Sequence, residues 1–169
     1  MFSSCFVSSI SFDTYSFVCP FDFLSHGETI IQSYKEISGA IALGFEELGI
    51  KAEFPTQKKA STKFEYCMSL ATGADLSFQG KKIVGSAQFR KQGYILQHGS
   101  ILLDYNPQII SNIFSEKIST EKIATIESID STITIERLSQ ALKTGFENYF
   151  KIHWLNQNEV SLLLEDKHV

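Results

Sequence analysis

Cysteine is scarce in this sequence, with three in 169 residues at positions 5, 19 and 67, and no two of them form a Cys-x-x-Cys pair or a metal-ligand spacing. That excludes a disulfide-stapled scaffold and a zinc ribbon, so each thiol must be judged singly. Proline is equally rare, with only Pro20, Pro55 and Pro107, too few for a proline-rich linker. No apolar run approaches the roughly 18 residues that a bilayer requires, which argues against a membrane partner. The apolar opening MFSSCFVSSISF lacks a basic lead and a small-residue cleavage site, so it does not read as an export signal and the expected compartment is cytoplasmic. An excess of positive charge is also missing. Fifteen Lys and Arg stand against 19 Asp and Glu, a formal net charge of -4, which gives no overall attraction for nucleic acid. One local basic cluster, near residues 81 to 91, is available for a phosphate or an acidic partner.

What remains is a balanced globular composition. Hydrophobic residues make up 43% and charged residues 20%, enough for one compact core and without the polar excess of a disordered chain. Residues 6 to 18 (FVSSISFDTYSFV) are rich in β-branched and aromatic side chains, predicting a pair of strands or one bent strand before Cys19-Pro20. From Glu28 to about Leu48, the residues Ile30, Tyr34, Ile37, Ile41, Phe45 and Leu48 recur at spacings of three and four, and Gly49 follows. This predicts an amphipathic helix with that stripe in the core. Lys51 to Phe54 fits a short strand, and PTQKKASTK at 55 to 63 an exposed loop.

Three strands, near 75 to 78, 82 to 89 and 94 to 103, with hairpin-like connections, predict an antiparallel meander. Short helical stretches at 108 to 114 and 120 to 126 lead to a longer helix near 134 to 151. Thr134 is its N-cap, and Ile135, Leu138, Leu142 and Phe146 lie on one side. Residues 157 to 166 begin a last helix. With no internal repeat or linker, residues 1–169 read as one α+β domain. Because Met1 leads straight into strand-like sequence, the expectation is a domain entered part-way.

The chemically informative stretch runs from Cys67 to Leu103. Strand alternation places Lys82, Val84, Ser86 and Gln88 on one face, and Ile83, Gly85, Ala87 and Phe89 on the other. A symmetric hairpin sets Gln97 and Gly99 opposite the Lys82 face; a one-residue shift replaces them with His98 and Ser100. Either register gathers a lysine, amides or hydroxyls and small residues on one surface. Such a surface suits a facing helix or a ligand, or the water side of an ordinary half-exposed sheet.

The run GKKIVGSAQFRKQGYILQHGSILL resembles, over more than 20 consecutive positions, the signature of lipoate-protein ligases and octanoyltransferases. In that signature a G-[RK]-K-x-x-G-S-A strand precedes one carrying H-G-[ST]-x-L-L. The resemblance implies a biotin/lipoate-ligase-like α+β fold, a partial, mostly antiparallel sheet packed with helices. It makes Lys82 the lysine that contacts the acyl carboxyl or carbonyl group, and it makes Gly80, Gly85, Ser86, Ala87, Gln97, His98, Gly99 and Asp75 the lining of the substrate site. The spellings AQ-x-R and LQHGS look like the octanoyltransferase branch, in which a cysteine ahead of the GKK strand is the nucleophile. Cys67 stands there, thirteen residues before Gly80. The ligase branch usually carries an Arg-Asn-Asp motif nearby, where this chain has Thr72-Gly73-Ala74-Asp75 and retains only the aspartate.

By composition alone Cys67 is a small buried hydrophobe and Lys82 a solvated strand lysine; the resemblance gives both their chemical role. Cys5 and Cys19 read as core residues. His98 is either a general base or a residue that shapes the sheet, and His26, His153 and His168 lack spaced partners for a metal. Arg90 and Lys91 either solvate a turn or meet an acidic carrier.

Three functions follow from the resemblance. An octanoyltransferase needs no cofactor and meets an octanoyl carrier protein and a lipoyl-accepting protein. A lipoate ligase needs ATP and Mg. A non-catalytic remnant, or a subunit completed by a separate N-terminal chain, is the third. Asp13-Thr14-Tyr15-Ser16 is similar to a family D-L-T-Y-S strand without its leucine, whereas the family R-x-x-G-G-G-x-x-x-H segment does not occur in the sequence. The domain is therefore expected to be partial, with its N-terminal portion absent.

Overall fold

The computed structural model describes residues 2–7, 10–55, 75–106, 108, 120–156 and 158–159. Its organising element is an antiparallel sheet in the order β1-β2-β5-β4-β3, built from β1 (Phe2–Val7), β2 (Ile10–Pro20), β3 (Leu76–Phe78), β4 (Lys81–Lys91) and β5 (Tyr94–Tyr105). The predicted meander is present, and the N-terminal strand-like segment resolves into a hairpin of two strands. The 51 to 54 strand reduces to a single bridge from Glu53 to Ser77.

Two turns fix the meander. Gln79-Gly80 between β3 and β4 and Gln92-Gly93 between β4 and β5 all have positive φ, from 50° to 82°. This is the signature of two-residue turns whose twist matches that of the flanking strands. The second turn sets Lys91 against Tyr94, Gln88 against Gln97 and Ser86 against Gly99. The symmetric register is therefore the one adopted. On the far side, β2 pairs with β5 so that Tyr15 opposes Gly99 and Phe17 opposes Gln97.

The α-helices with bounds among the described residues are α1 (Ile30–Glu46), α2 (Ile126–Ile129) and α3 (Ile135–Phe150). Thr134 caps α3 by accepting from the Arg137 N–H, and Gly49, at φ +75°, follows α1 where a left-handed residue closes a helix. Both long helices lie on one face of the sheet: Ser38 of α1 bonds Gln97, and Ser139 of α3 bonds Asp13. Between helices and sheet sits the core of Ile37, Ile41, Phe45, Leu138, Leu142 and Phe146 with Ile95 and Ile101.

The stripe predicted for α1 needs one correction. Ile30 is 61% exposed and its inward place in the first turn is taken by buried Ser33, because the sheet beneath that turn presents polar groups rather than apolar ones. The helical stretches expected at 108 to 114 and 157 to 166 fall almost wholly outside the described residues. Among the described residues no helix is long and apolar enough to cross a membrane.

The two long helices touch backbone to backbone. A Cβ on Gly145 would overlap the Ala40 carbonyl and the Gly44 amide, and one on Gly44 would come within 2.8 Å of Leu142 Cα. Gly145→Ala should therefore force the helices apart and cost about 1–3 kcal/mol. Thermal denaturation should show a melting point lower by roughly 2–4 °C per kcal/mol lost.

Candidate functional site

Lys82 begins the site. It lies one residue into β4, with Ser77 of β3 opposite it, and its side chain is only 7% exposed. A buried ammonium needs a counter-charge and hydrogen-bond acceptors, or it loses its proton. The counter-charge is Asp75, 2% exposed, whose Oδ2 lies 3.0 Å from Nζ. The other carboxylate oxygen, Oδ1, accepts from the Ser86 backbone N–H at 3.4 Å. A register shift between Leu76 and Ser77 makes the geometry possible. It inserts Ile83 as an extra residue on β4, and so lets Asp75 reach both Lys82 and Ser86.

The site continues as a buried polar layer beneath α1. Ser86 Oγ lies 2.6 Å from the Tyr15 hydroxyl. Gln97, wholly buried, donates through Nε2 to Tyr15 Oη at 3.2 Å and to Ser38 Oγ at 3.3 Å, and its Oε1 accepts from Gln88 at 3.1 Å. Ser33 then links Gln88 to Arg90, whose guanidinium donates to both residues. Arg90 also donates to the Gly27 carbonyl and stacks on Phe21 at 4.3 Å. It ties the start of α1 to the sheet rather than solvating a turn; Lys91 is exposed.

Glycine at position 99 is required here. A Cβ would sit 2.5 Å from Gly85 O, 2.7 Å from Ser86 Oγ and 2.7 Å from a Tyr15 ring carbon. Its absence lets the tyrosine ring lie against β5.

Burial sets the protonation of this layer. It raises the Tyr15 phenol above its ordinary value; hydrogen bonds with Ser86 and Gln97 pull the other way, and the charge on Asp75 adds to the rise. Tyr34 of α1 is also pushed up by burial, then by the charge of Asp75 and by Tyr15, against a hydrogen bond with Ser86. Both phenols stay neutral near pH 7 and act as hydrogen-bond partners. Cys19 is pushed up to about 11 by burial and by the charge of Glu36, with Arg90 opposing, so it is a core thiol and not a nucleophile.

The structure thus brings together Asp75, Lys82, Ser86, Gln97 and Gly99 from the residues expected at the site. Gly80 stands in the β3–β4 turn, and Gly85, Ala87 and His98 lie on the sheet face opposite Ser86, Gln97 and Gly99, where Ala87 and His98 are exposed. Because Ile83 is an extra residue, Lys82 does not share the face of Val84, Ser86 and Gln88 that simple alternation predicts. Gln97, with its amide satisfied on every side, braces the layer. Cys67 lies outside the described residues. Tyr15, read only as part of the Asp13-Thr14-Tyr15-Ser16 strand, Tyr34, read only as part of the core stripe of α1, and Ser38, for which the sequence carries no signal, complete this layer. A cleft of about 620 Å³ lies around the β4–β5 turn, lined by residues such as Phe21, His26, Gly27, Gly93 and Tyr94. It is at the far end of β4 from Lys82, and none of these lining residues provides a buried cation.

An antiparallel sheet backed by two helices, with a lysine sequestered where its third and fourth strands in chain order meet, places the protein in the biotin/lipoate-ligase class of α+β folds. The chain superposes on lipoate-protein ligase A bound with ATP with a TM-score of 0.66 at 19% identity, covering 92% of this chain and 62% of that one. It superposes on the biotin protein ligase of Aquifex aeolicus with a TM-score of 0.58 at 13% identity, covering 83% and 53%. Residues 14–147 match the family of the lipoyl protein ligase A/B catalytic domain, and the chain belongs to that family. It is 32% identical over 158 residues to Octanoyltransferase LipM of Bacillus subtilis (strain 168), an alignment that takes in 83% of this chain and 57% of that protein. The chain therefore spans somewhat over half the length of this relative.

The ion pair predicts an asymmetric mutational pattern. Asp75→Leu, which removes the buried carboxylate facing the Lys82 ammonium, should destabilise by about 3–5 kcal/mol, and adding Lys82→Met should restore much of that loss; urea denaturation of the two single variants and the double variant measures it. For Cys19, the native state holds its proton up to a higher pH than the unfolded chain. Its contribution to stability is therefore intact below about pH 9 and lost as pH rises toward 11. The stability difference between the protein and Cys19→Ala, followed from pH 8 to 11, should change in that sense.

Proposed function

We propose that this chain carries out octanoyl transfer in protein lipoylation, moving an octanoyl group from an octanoyl carrier protein to a lysine of a lipoyl-accepting protein. The observation that carries this reading is the similarity to octanoyltransferases over most of the chain, centred on the strand pair that buries Lys82 against Asp75.

The chemistry follows from what a thioester requires. The Cys67 thiolate attacks the thioester carbonyl carbon, the C–S bond to the carrier breaks with its electron pair on the carrier sulfur, and that thiolate leaves and takes up a proton from water. The uncharged amine of the acceptor lysine then attacks the new thioester; the Cys67 sulfur leaves with the electron pair, the nitrogen gives up a proton to water or to that thiolate, and an amide forms. Each step passes through a tetrahedral species with negative charge on the former carbonyl oxygen. The ammonium of Lys82, held in place by Asp75, is suited to stabilise that charge in a site shielded from water, a role worth a few kcal/mol. The same positive charge would lower the pKa of a nearby thiol. Transfer between a thioester and an amine is downhill, so this route needs neither nucleotide nor metal. The compartment this reading assigns is the cytoplasm.

The test is incubation with an octanoyl thioester in the absence of ATP, followed by peptide mass mapping. An octanoyl adduct on Cys67 is expected, and Cys67→Ser should abolish it. Adduct formation undiminished in that variant would remove Cys67 from the mechanism. Lipoyl- or octanoyl-adenylate made only with ATP and Mg would turn the reading to the ligase reaction. Neither product would leave a non-catalytic remnant or a subunit that requires a separate N-terminal chain.

A further inference from the structure

Ser77 is 5% exposed, and its hydroxyl oxygen is fully covered yet has no hydrogen-bond partner. Other covered hydroxyls nearby are all satisfied: Ser38 by Gln97, Ser33 by Gln88 and Arg90, and Thr125 by the Ser128 backbone. An orphaned buried hydroxyl costs free energy in the resting protein, so it calls for an explanation beyond packing.

Its position offers one. Ser77 is the residue of β3 directly opposite Lys82, and opposed residues of an antiparallel pair project from the same face about 4.5–5.5 Å apart. Asp75, just ahead of β3, holds the Lys82 ammonium. Ser77 is also rigidly mounted: its N–H donates to the Glu53 carbonyl, and its carbonyl accepts from the Glu53 N–H, both at 2.8 Å. A donor fixed in advance, without a partner at rest and next to the cationic side chain, has the properties of a group that stabilises charge as it develops.

We propose that Ser77 is a catalytic residue, its hydroxyl donating a hydrogen bond to the carbonyl oxygen of the acyl thioester beside the ammonium of Lys82. It rests on the reading given under Proposed function. No proton leaves Ser77. The hydrogen bond strengthens as the carbonyl oxygen gains charge and relaxes when the carbon–sulfur bond breaks and the electron pair departs with the sulfur. A second donor is useful because Asp75 offsets part of the lysine's charge.

Because serine to alanine here removes only an unpartnered oxygen, the variant should fold. Single-turnover formation of the octanoyl-enzyme should slow by about tenfold or more in Ser77→Ala, while its melting temperature stays equal to or above that of the parent. An unchanged rate with a raised melting temperature would mean that the hydroxyl is only a packing defect, and would overturn the proposal. A slowed rate with a lowered melting temperature would mark a structural role and would also overturn it. A parent protein that forms no octanoyl-enzyme would overturn the transferase reading itself and this inference with it, whereas a parent that forms it as fast as Ser77→Ala overturns the inference alone.

Discussion

Placing an ammonium and a carboxylate out of contact with water costs several kcal/mol per ion after relaxation, and their mutual attraction offsets this only when the remaining polar groups are matched. The pairing of Lys82 with Asp75 is the constraint around which the rest of this structure is arranged. Asp75 uses one oxygen for the ammonium and the other for a backbone N–H of β4. The strand that supplies that N–H carries Ser86, Ser86 meets Tyr15, and Tyr15 meets Gln97. What begins as compensation for one ion pair becomes a hydrogen-bonded layer beneath the first half of α1.

That layer accounts for features that look unfavourable in isolation. Two serines replace apolar residues on the buried face of α1, and a glutamine occupies a wholly buried strand position. Arg90 closes the layer at one end by fastening the loop before α1. At the Lys82 end the only covered hydroxyl left without a partner among the described residues of the layer is Ser77. The apolar core, by contrast, lies between α1, α3 and the sheet and follows ordinary rules, with glycines where the helices come closest.

The parts legible in the sequence were those set by local chemistry. Glycines at positive φ announced the two tight turns, Thr134 announced the start of α3, and the symmetric turn correctly put Gln97 and Gly99 opposite Gln88 and Ser86. The burial of Lys82 was not legible, because its partner is reached across a strand irregularity that no residue type signals. Nor was the inward turn of Ser33 and Ser38, since a serine within a helix reads as a surface residue until a polar sheet is known to lie beneath it. Ile30 was misplaced for the same reason. The extra residue Ile83 was not legible either, and it takes Lys82 off the face of Val84, Ser86 and Gln88 where plain alternation puts it.

The cross-strand contact of Gln88 with Gln97 also bears on how the sheet finds its pairing. A slip of β5 by one residue would turn His98 and Ser100 inward and carry Gln97 out to solvent, leaving Tyr15, Ser38 and Gln88 without their shared partner. An all-aliphatic interior would tolerate such a slip with a modest loss of packing; a polar one pays for each orphaned group. The amides therefore act as a combination lock on strand alignment, since only one register satisfies them all beneath α1.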